Sequence, residues 1–296
     1  MFLASSPGFA RFLRRLSLGV LVVGLLITDR ARAADQPRLA PYSPGLSLYV
    51  FGGRGGDHAP AVLLFHPGGW VQGAPSLVFD AARDFARQGV VAIAVQYRLS
   101  GEATTPADAF ADACSAFTYV RRSAVRLGVD PRRLVAYGES AGGQLAALTA
   151  TRGCRSKAGT WRPQLLLLQS PAVDPTSAGW FGRILKGAPV DPFRPILFAD
   201  HHTPPTLIVQ GEADTLTPSA LARSFCAKVD RPRSPCMVVA YPNLGHYFTR
   251  TLKDQDGQFD PFVSDSDAQT DVDKAAVEDS RKRFVDFMAS QGLLGH

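Results

Sequence analysis

Metal-binding cysteine patterns are missing from this sequence. Its 296 residues hold four cysteines, Cys114, Cys154, Cys226 and Cys236, with no CxxC pair and no Cys/His cluster at zinc-ligand spacing. A large surplus of one charge is missing as well. The formal net charge is +6, but residues 1–33 contribute five arginines and one aspartate, which leaves +2 for the rest. That balance argues against a nucleic-acid partner. No apolar run reaches the roughly 20 residues that a membrane span needs, and no internal repeat or low-complexity tract is visible. With 46% hydrophobic and 20% charged residues, the composition is that of an ordinary globular protein.

The first residues account for their own charge. "RFLRR" is a basic segment, "LSLGVLVVGLLI" (16–27) a short apolar one, and "ARA" (31–33) supplies small residues where a signal peptidase cuts. The expectation is a removed signal peptide over 1–33 and a single domain over 34–296, exported to the periplasm or the medium, with no stable membrane insertion after cleavage. An uncleaved N-terminal anchor is the alternative. In an oxidising compartment four cysteines favour disulfides. Cys226–Cys236 with Cys114–Cys154 is the first choice of the three connectivities, and buried free thiols are the alternative.

Short apolar runs alternate with helical patterns along the chain. Strands are expected at 46–51, 61–66, 90–97, 133–138, 164–170, 206–211 and 236–241. Helices are expected near 76–88, 106–127, 141–152, 217–229 and 273–291. Strands without strict alternation, separated by helices, imply an α/β fold with a mostly parallel sheet covered on both faces. Residues 172–204 run long for a crossover and are expected to form a small cap. The acidic stretch 252–272 lacks EF-hand spacing and is read as a solvated loop.

The chemistry is carried by residues at strand ends. "VAYGESAGG" puts Ser140 between Gly138 and Gly142 at a strand-to-helix junction, where a sharp turn lifts the hydroxyl towards the positive end of a helix. A serine hydroxyl needs a base and a group to orient that base. Asp214 follows "TLIVQG" and His246 follows "CMVVAYPNLG", each just beyond its own strand. Glu212 competes with Asp214 for the acid role but stands closer to the strand end. His201 and His202 end the suspected cap, where packing or exposure is expected over a place in the pocket. His66 precedes the serine, in the wrong position for the base, and His58 and His296 have no context.

"LLFHPGGWVQG", "VQYRLS", "GVDPRRLVAYGESAGGQLAAL", "PPTLIVQGEADTLTP" and "LGHYF" together resemble the α/β-hydrolase superfamily. Within it they are similar to hormone-sensitive-lipase-like and feruloyl- or acetylxylan-esterase-like serine esterases. The resemblance implies about eight strands and an acyl-enzyme on Ser140, with His246 and Asp214 completing the triad and no metal or organic cofactor. It makes the loop after the "AVLLF" strand the oxyanion hole. Pro67 stands where the family has the first glycine of HGGG and offers no N–H, so the donors become Gly68 and Gly69, joined by Ala141. Gln96 replaces an acidic residue before Tyr97 and Arg98, which are read as structural. Trp70 and Trp180 are candidate substrate-binding residues and, with Phe181 and Phe193, suggest an aromatic or apolar lining, with packing of the cap as the alternative. The implied substrate is a small-molecule or carbohydrate-linked ester. A serine peptidase or amidase, an acyltransferase and a non-catalytic binding module on the same fold are the alternatives, and the oligomeric state is left open.

Overall fold

A computed structural model of the chain describes residues 36–53, 58–156, 159–246 and 274–294. The expected signal peptide, the acidic stretch 252–272 and His296 lie outside the described residues. Eight strands form one sheet in the order β1 (Arg38–Ser43), β2 (Leu46–Phe51), β4 (Val91–Val95), β3 (Ala59–Phe65), β5 (Val129–Glu139), β8 (Leu165–Gln169), β9 (Thr206–Gly211) and β10 (Cys236–Tyr241). The β1–β2 and β2–β4 pairs are antiparallel, and every pair from β4 to β10 is parallel. A separate hairpin joins β6 (Cys154–Ser156) to β7 (Gly159–Trp161).

Strands β4, β8 and β9 are buried along their whole length, as "VAIAV" of β4 and "LLLLQ" of β8 require between two helical layers. Alternate residues of β3 point to opposite faces. Leu63 and Phe65 enter one core with α2 (Pro106–Arg122), α4 (Ser140–Thr151) and α7 (Ser219–Val229). Val62 and Leu64 enter the other with α1 (Phe79–Arg87) and α8 (Lys274–Ser290). The helix expected over 106–127 starts at a capping box between Thr105 and Asp108, then breaks at Ser123 before the short α3 (Ala124–Leu127).

Three strands were not expected. Strand β1 carries Pro41 and is largely exposed, so its apolar pattern is weak; a proline is tolerated there because β1 is an edge strand. The β6–β7 hairpin is three residues a side and too short to leave a periodic signal. The cysteines pair as first chosen, Cys114–Cys154 and Cys226–Cys236.

Residues 172–204 fold into short helical pieces, among them α5 (Phe181–Ile184) and α6 (Pro195–Phe198). Phe181, Leu185 and Phe193 from this segment pack on Trp70, Ala141 and Leu148 in a third apolar cluster. Arg194 grips Asp174 with two nitrogens, at 3.0 and 2.8 Å, which ties the end of the segment back to its start. The segment therefore packs along α4, from Ala141 to Arg152 at its C-terminal end.

Candidate active site

Strand β5 runs into α4 at Ser140, whose φ of 52° is unusual for a residue with a side chain. A strained turn of this kind can lift a side chain clear of a strand end. The following helix packs tightly on the neighbouring strand exit. A Cβ on Gly142 would sit 2.1 Å from Phe65 O and 2.4 Å from His66 O, so only glycine allows that approach. The same contact brings Ser140 alongside the loop that leaves β3.

Three strand ends converge at Ser140. His246 Nε2 lies 2.8 Å from Ser140 Oγ, and His246 Nδ1 lies 2.8 Å from Asp214 Oδ2. Asp214 and His246 are 5% and 9% exposed, so water competes little for these bonds. Asp214 Oδ1 accepts from the backbone N–H groups of Leu216 and Thr217. Its Oδ2 accepts from Gln210 Nε2 at 2.8 Å and from Thr217 Oγ1 at 2.7 Å. Burial pushes the Asp214 carboxyl up, but the hydrogen bond and charge of His246, with the Thr217 bonds, outweigh burial and hold it below the usual carboxylate range. Glu212 turns away, accepting from Arg223 at 2.8 Å and Ser219 at 3.1 Å.

The loop after β3 is held from several sides. His66 stacks on Tyr97 with ring centroids 4.2 Å apart, and the Tyr97 hydroxyl donates to His66 O. His66 Nδ1 lies 2.7 Å from Pro67 O, so this ring anchors the loop. Arg98 donates to Asp108 and Asp112 of α2, a structural role. Gly68 and Gly69 take positive φ of 127° and 58°. Among the described residues no protein acceptor takes their N–H groups. Ala141 is in the first turn of α4, where N–H groups lack an intrahelical acceptor.

Trp70 is 2% exposed, with φ of 65°, and its Nε1 donates to Gln144 Oε1 at 3.0 Å. Its ring meets Phe181 and Trp180 edge-on, and Trp180 is the more exposed of the two tryptophans. Gln144 also donates to Phe193 O at 2.7 Å. One fully buried amide thus joins the oxyanion-loop candidate, α4 and the 172–204 segment.

Sequence reasoning did not pick out Gln144, Gln210 or Thr217. The available signal was polarity in apolar surroundings: Gln144 interrupts "AGGQLAAL" and Gln210 ends "TLIVQ". His201 and His202 stand before β9, at the end of the strand opposite Asp214, and both are exposed. With Asp200 they bring three donor atoms within 4.8 Å, the one such grouping of possible metal ligands among the described residues, remote from Ser140 in the sheet. No described helix is long and apolar enough to cross a membrane.

A family model described as the alpha/beta hydrolase fold matches residues 62–181. Esterase LipI of Mycobacterium tuberculosis is 31% identical over 176 residues, covering 53% of this chain and 51% of that one. An ethyl acetate hydrolase of Pseudomonas putida is 27% identical over 216 residues, covering 64% and 66%. The chain therefore spans about half the length of LipI and about two thirds of the Pseudomonas protein. Among solved structures, esterase 2 of Thermogutta terrifontis superposes with a TM-score of 0.75 at 26% identity, over 88% of this chain and 97% of that one.

Proposed function

The chain belongs to the α/β-hydrolase superfamily, and from that premise we propose that it is a serine carboxylesterase with Ser140, His246 and Asp214 as its catalytic triad. The observation that carries the proposal is the unbroken chain from Ser140 Oγ to His246 to Asp214, with both links at 2.8 Å. In the proposed reaction His246 Nε2 takes the Ser140 proton as Oγ attacks the ester carbonyl carbon. Asp214 holds the Nδ1–H tautomer and offsets the imidazolium charge. The oxyanion is met by the N–H groups of Gly68, Gly69 and Ala141, each donor worth about 3–4 kcal/mol in a comparable hydrolase. The carbonyl–oxygen bond breaks, His246 returns the proton to the leaving alcohol, and a water activated by the same imidazole releases the acid.

The substrate reading is a short-chain ester. Two similarities support it: the Pseudomonas relative is named for ethyl acetate, and the Thermogutta esterase has structures with propionate and with butyrate bound. An acetyl or feruloyl group on a carbohydrate is the finer form of the proposal. Trp180, half-exposed beside the 172–204 segment, is proposed to border the acyl or alcohol site, with Trp70 as its buried support. We place the enzyme outside the cytoplasm, on the basic and apolar pattern of residues 1–33 and on two disulfides, which persist in oxidising compartments.

Fluorophosphonate labelling of the full chain tests the core of the proposal. Wild type is expected to label and Ser140→Ala to be silent. A panel of esters from acetyl upwards, with acetylated and feruloylated xylo-oligosaccharides, then sets the substrate class. A wild type that does not label overturns the serine-hydrolase reading.

A further inference from the structure

We propose that Thr217 is a positioning residue for this reaction: its hydroxyl shares Asp214 Oδ2 with the imidazole of His246, keeping ring and carboxylate in register. The proposal rests on the esterase reading above and concerns the same site. Thr217 is 6% exposed, and its Oγ1 has three polar neighbours. Asp214 Oδ2 is at 2.7 Å, His246 Nδ1 at 3.0 Å and Ser170 O at 3.0 Å.

Counting protons assigns the bonds. A threonine hydroxyl has one proton and two lone pairs. An ionised carboxylate and a carbonyl only accept, and two oxygens 2.7 Å apart with no proton between them would repel. The hydroxyl proton therefore goes to Oδ2, the shorter and charge-assisted partner, with Ser170 O as the weaker second acceptor. His246 Nδ1, 2.8 Å from the same Oδ2, must carry a proton of its own. A lone pair of Thr217 faces that N–H as a second acceptor. The three atoms form a closed triangle, which resists rotation of the ring and leaves the Nε2 lone pair aimed at Ser140 Oγ.

Two further observations fit this role. Asp214 receives four hydrogen bonds besides that of His246, so its charge is spread before the imidazole draws on it. Ser170, whose carbonyl faces Thr217, is buried with φ of 41°, a strained conformation for a serine. Two residues on, Ala172 N donates to Ser140 O. Thr217 thus ties the acid loop to the segment that touches the nucleophile. The other carboxylates around the site are committed elsewhere: Glu212 to Arg223, Asp174 to Arg194, and Glu139 to the Tyr137 hydroxyl.

The test compares Thr217→Val, which keeps the shape and removes the hydroxyl, with Thr217→Ala and Thr217→Ser. Fluorophosphonate labelling rates are measured from pH 5 to 9, with kcat and KM on an ester the wild type turns over. The Val variant is expected to label about tenfold or more slowly, with KM within about twofold. The acid limb of its rate profile is expected to move to higher pH, because a carboxylate with one donor fewer holds the imidazolium more strongly. Ser is expected to restore both rate and profile. The His246 Nδ1–H resonance in the proton spectrum, identified by its loss in His246→Ala, is expected to shift and exchange faster in Val but not in Ser. A Val variant with wild-type rate, profile and resonance overturns the proposal. If Val does not fold, the Ala-to-Ser comparison decides on the same readouts. Labelling without ester turnover would defeat the esterase reading alone, because the labelling profile and the resonance need no ester.

Discussion

Asp214 and Glu212 stand two residues apart, and their hydrogen bonds separate their roles. Asp214 is buried and bonded to His246, whereas the Glu212 side chain is 43% exposed and paired with Arg223. Asp214→Asn would keep the shape but favour the wrong imidazole tautomer, and kcat is expected to fall about 10⁴-fold, as in a related triad. Glu212→Gln removes the charge from a surface pair worth less than about 1 kcal/mol, while its amide oxygen still accepts from Ser219, and it is expected to leave kcat unchanged. Steady-state kinetics of the two variants checks both, and a reversed order would move the acid role to Glu212. The chain order of Ser140, Asp214 and His246 was legible because each follows its own strand. Thr217 was not, since a threonine three residues after an aspartate reads as an ordinary turn former.

At the scale of elements, Gln144 is where three pieces meet. Its side chain accepts from Trp70 on the β3 exit loop, rides on α4 and donates to Phe193 in the 172–204 segment. Trp70 keeps its positive φ because the indole is pinned on both sides. Gln144→Leu leaves the Trp70 N–H and the Phe193 carbonyl buried without partners, at a cost of about 1–3 kcal/mol each. The expected result is a lower melting temperature together with a fall in kcat that exceeds the change in KM, because the loop that presents Gly68 and Gly69 is loosened. Equal kinetics with lost stability would confine Gln144 to packing. Element types were legible wherever an apolar run was continuous, as in "VAIAV" of β4 and "LLLL" of β8. Strand β1 was hidden by Pro41 and by a face that is only partly buried, through Ala40 and Tyr42.

For the whole molecule, two crosslinks and two carboxylates held below their usual range set the response to conditions. The 40-residue and 10-residue spacings of the disulfides correspond, on the chain-entropy account, to about 4 and about 3 kcal/mol of restraint on the unfolded chain. Asp174 and Asp214 carry the acid response. Burial pushes both carboxyls up, but Arg194 and Thr176 at Asp174, and His246 and Thr217 at Asp214, more than reverse it. Groups with depressed folded values stabilise the fold above the unfolded value of 3.8 and lose that contribution as pH falls towards the folded value. Asp84, raised chiefly by burial, works in the opposite sense. The urea midpoint is expected to stay level from about pH 7 to 5 and to drop below about pH 4. A midpoint that rises on acidification would contradict this balance.

Local pattern was enough to determine the alternation of strand and helix, the serine turn between two glycines, and the loss of a donor at Pro67. Each of these depends on residues within one or two turns of one another. Only the tertiary structure decided which side chains meet. Ser140 and His246 are 106 residues apart, and Thr217 and His246 are 29 apart. Their contact follows from a sheet order that places β8 and β9 between β5 and β10. Periodicity reports which face of a strand is buried, but not which strand lies beside it, so the hydrogen bonds that orient the triad candidates became visible only when the strands were side by side.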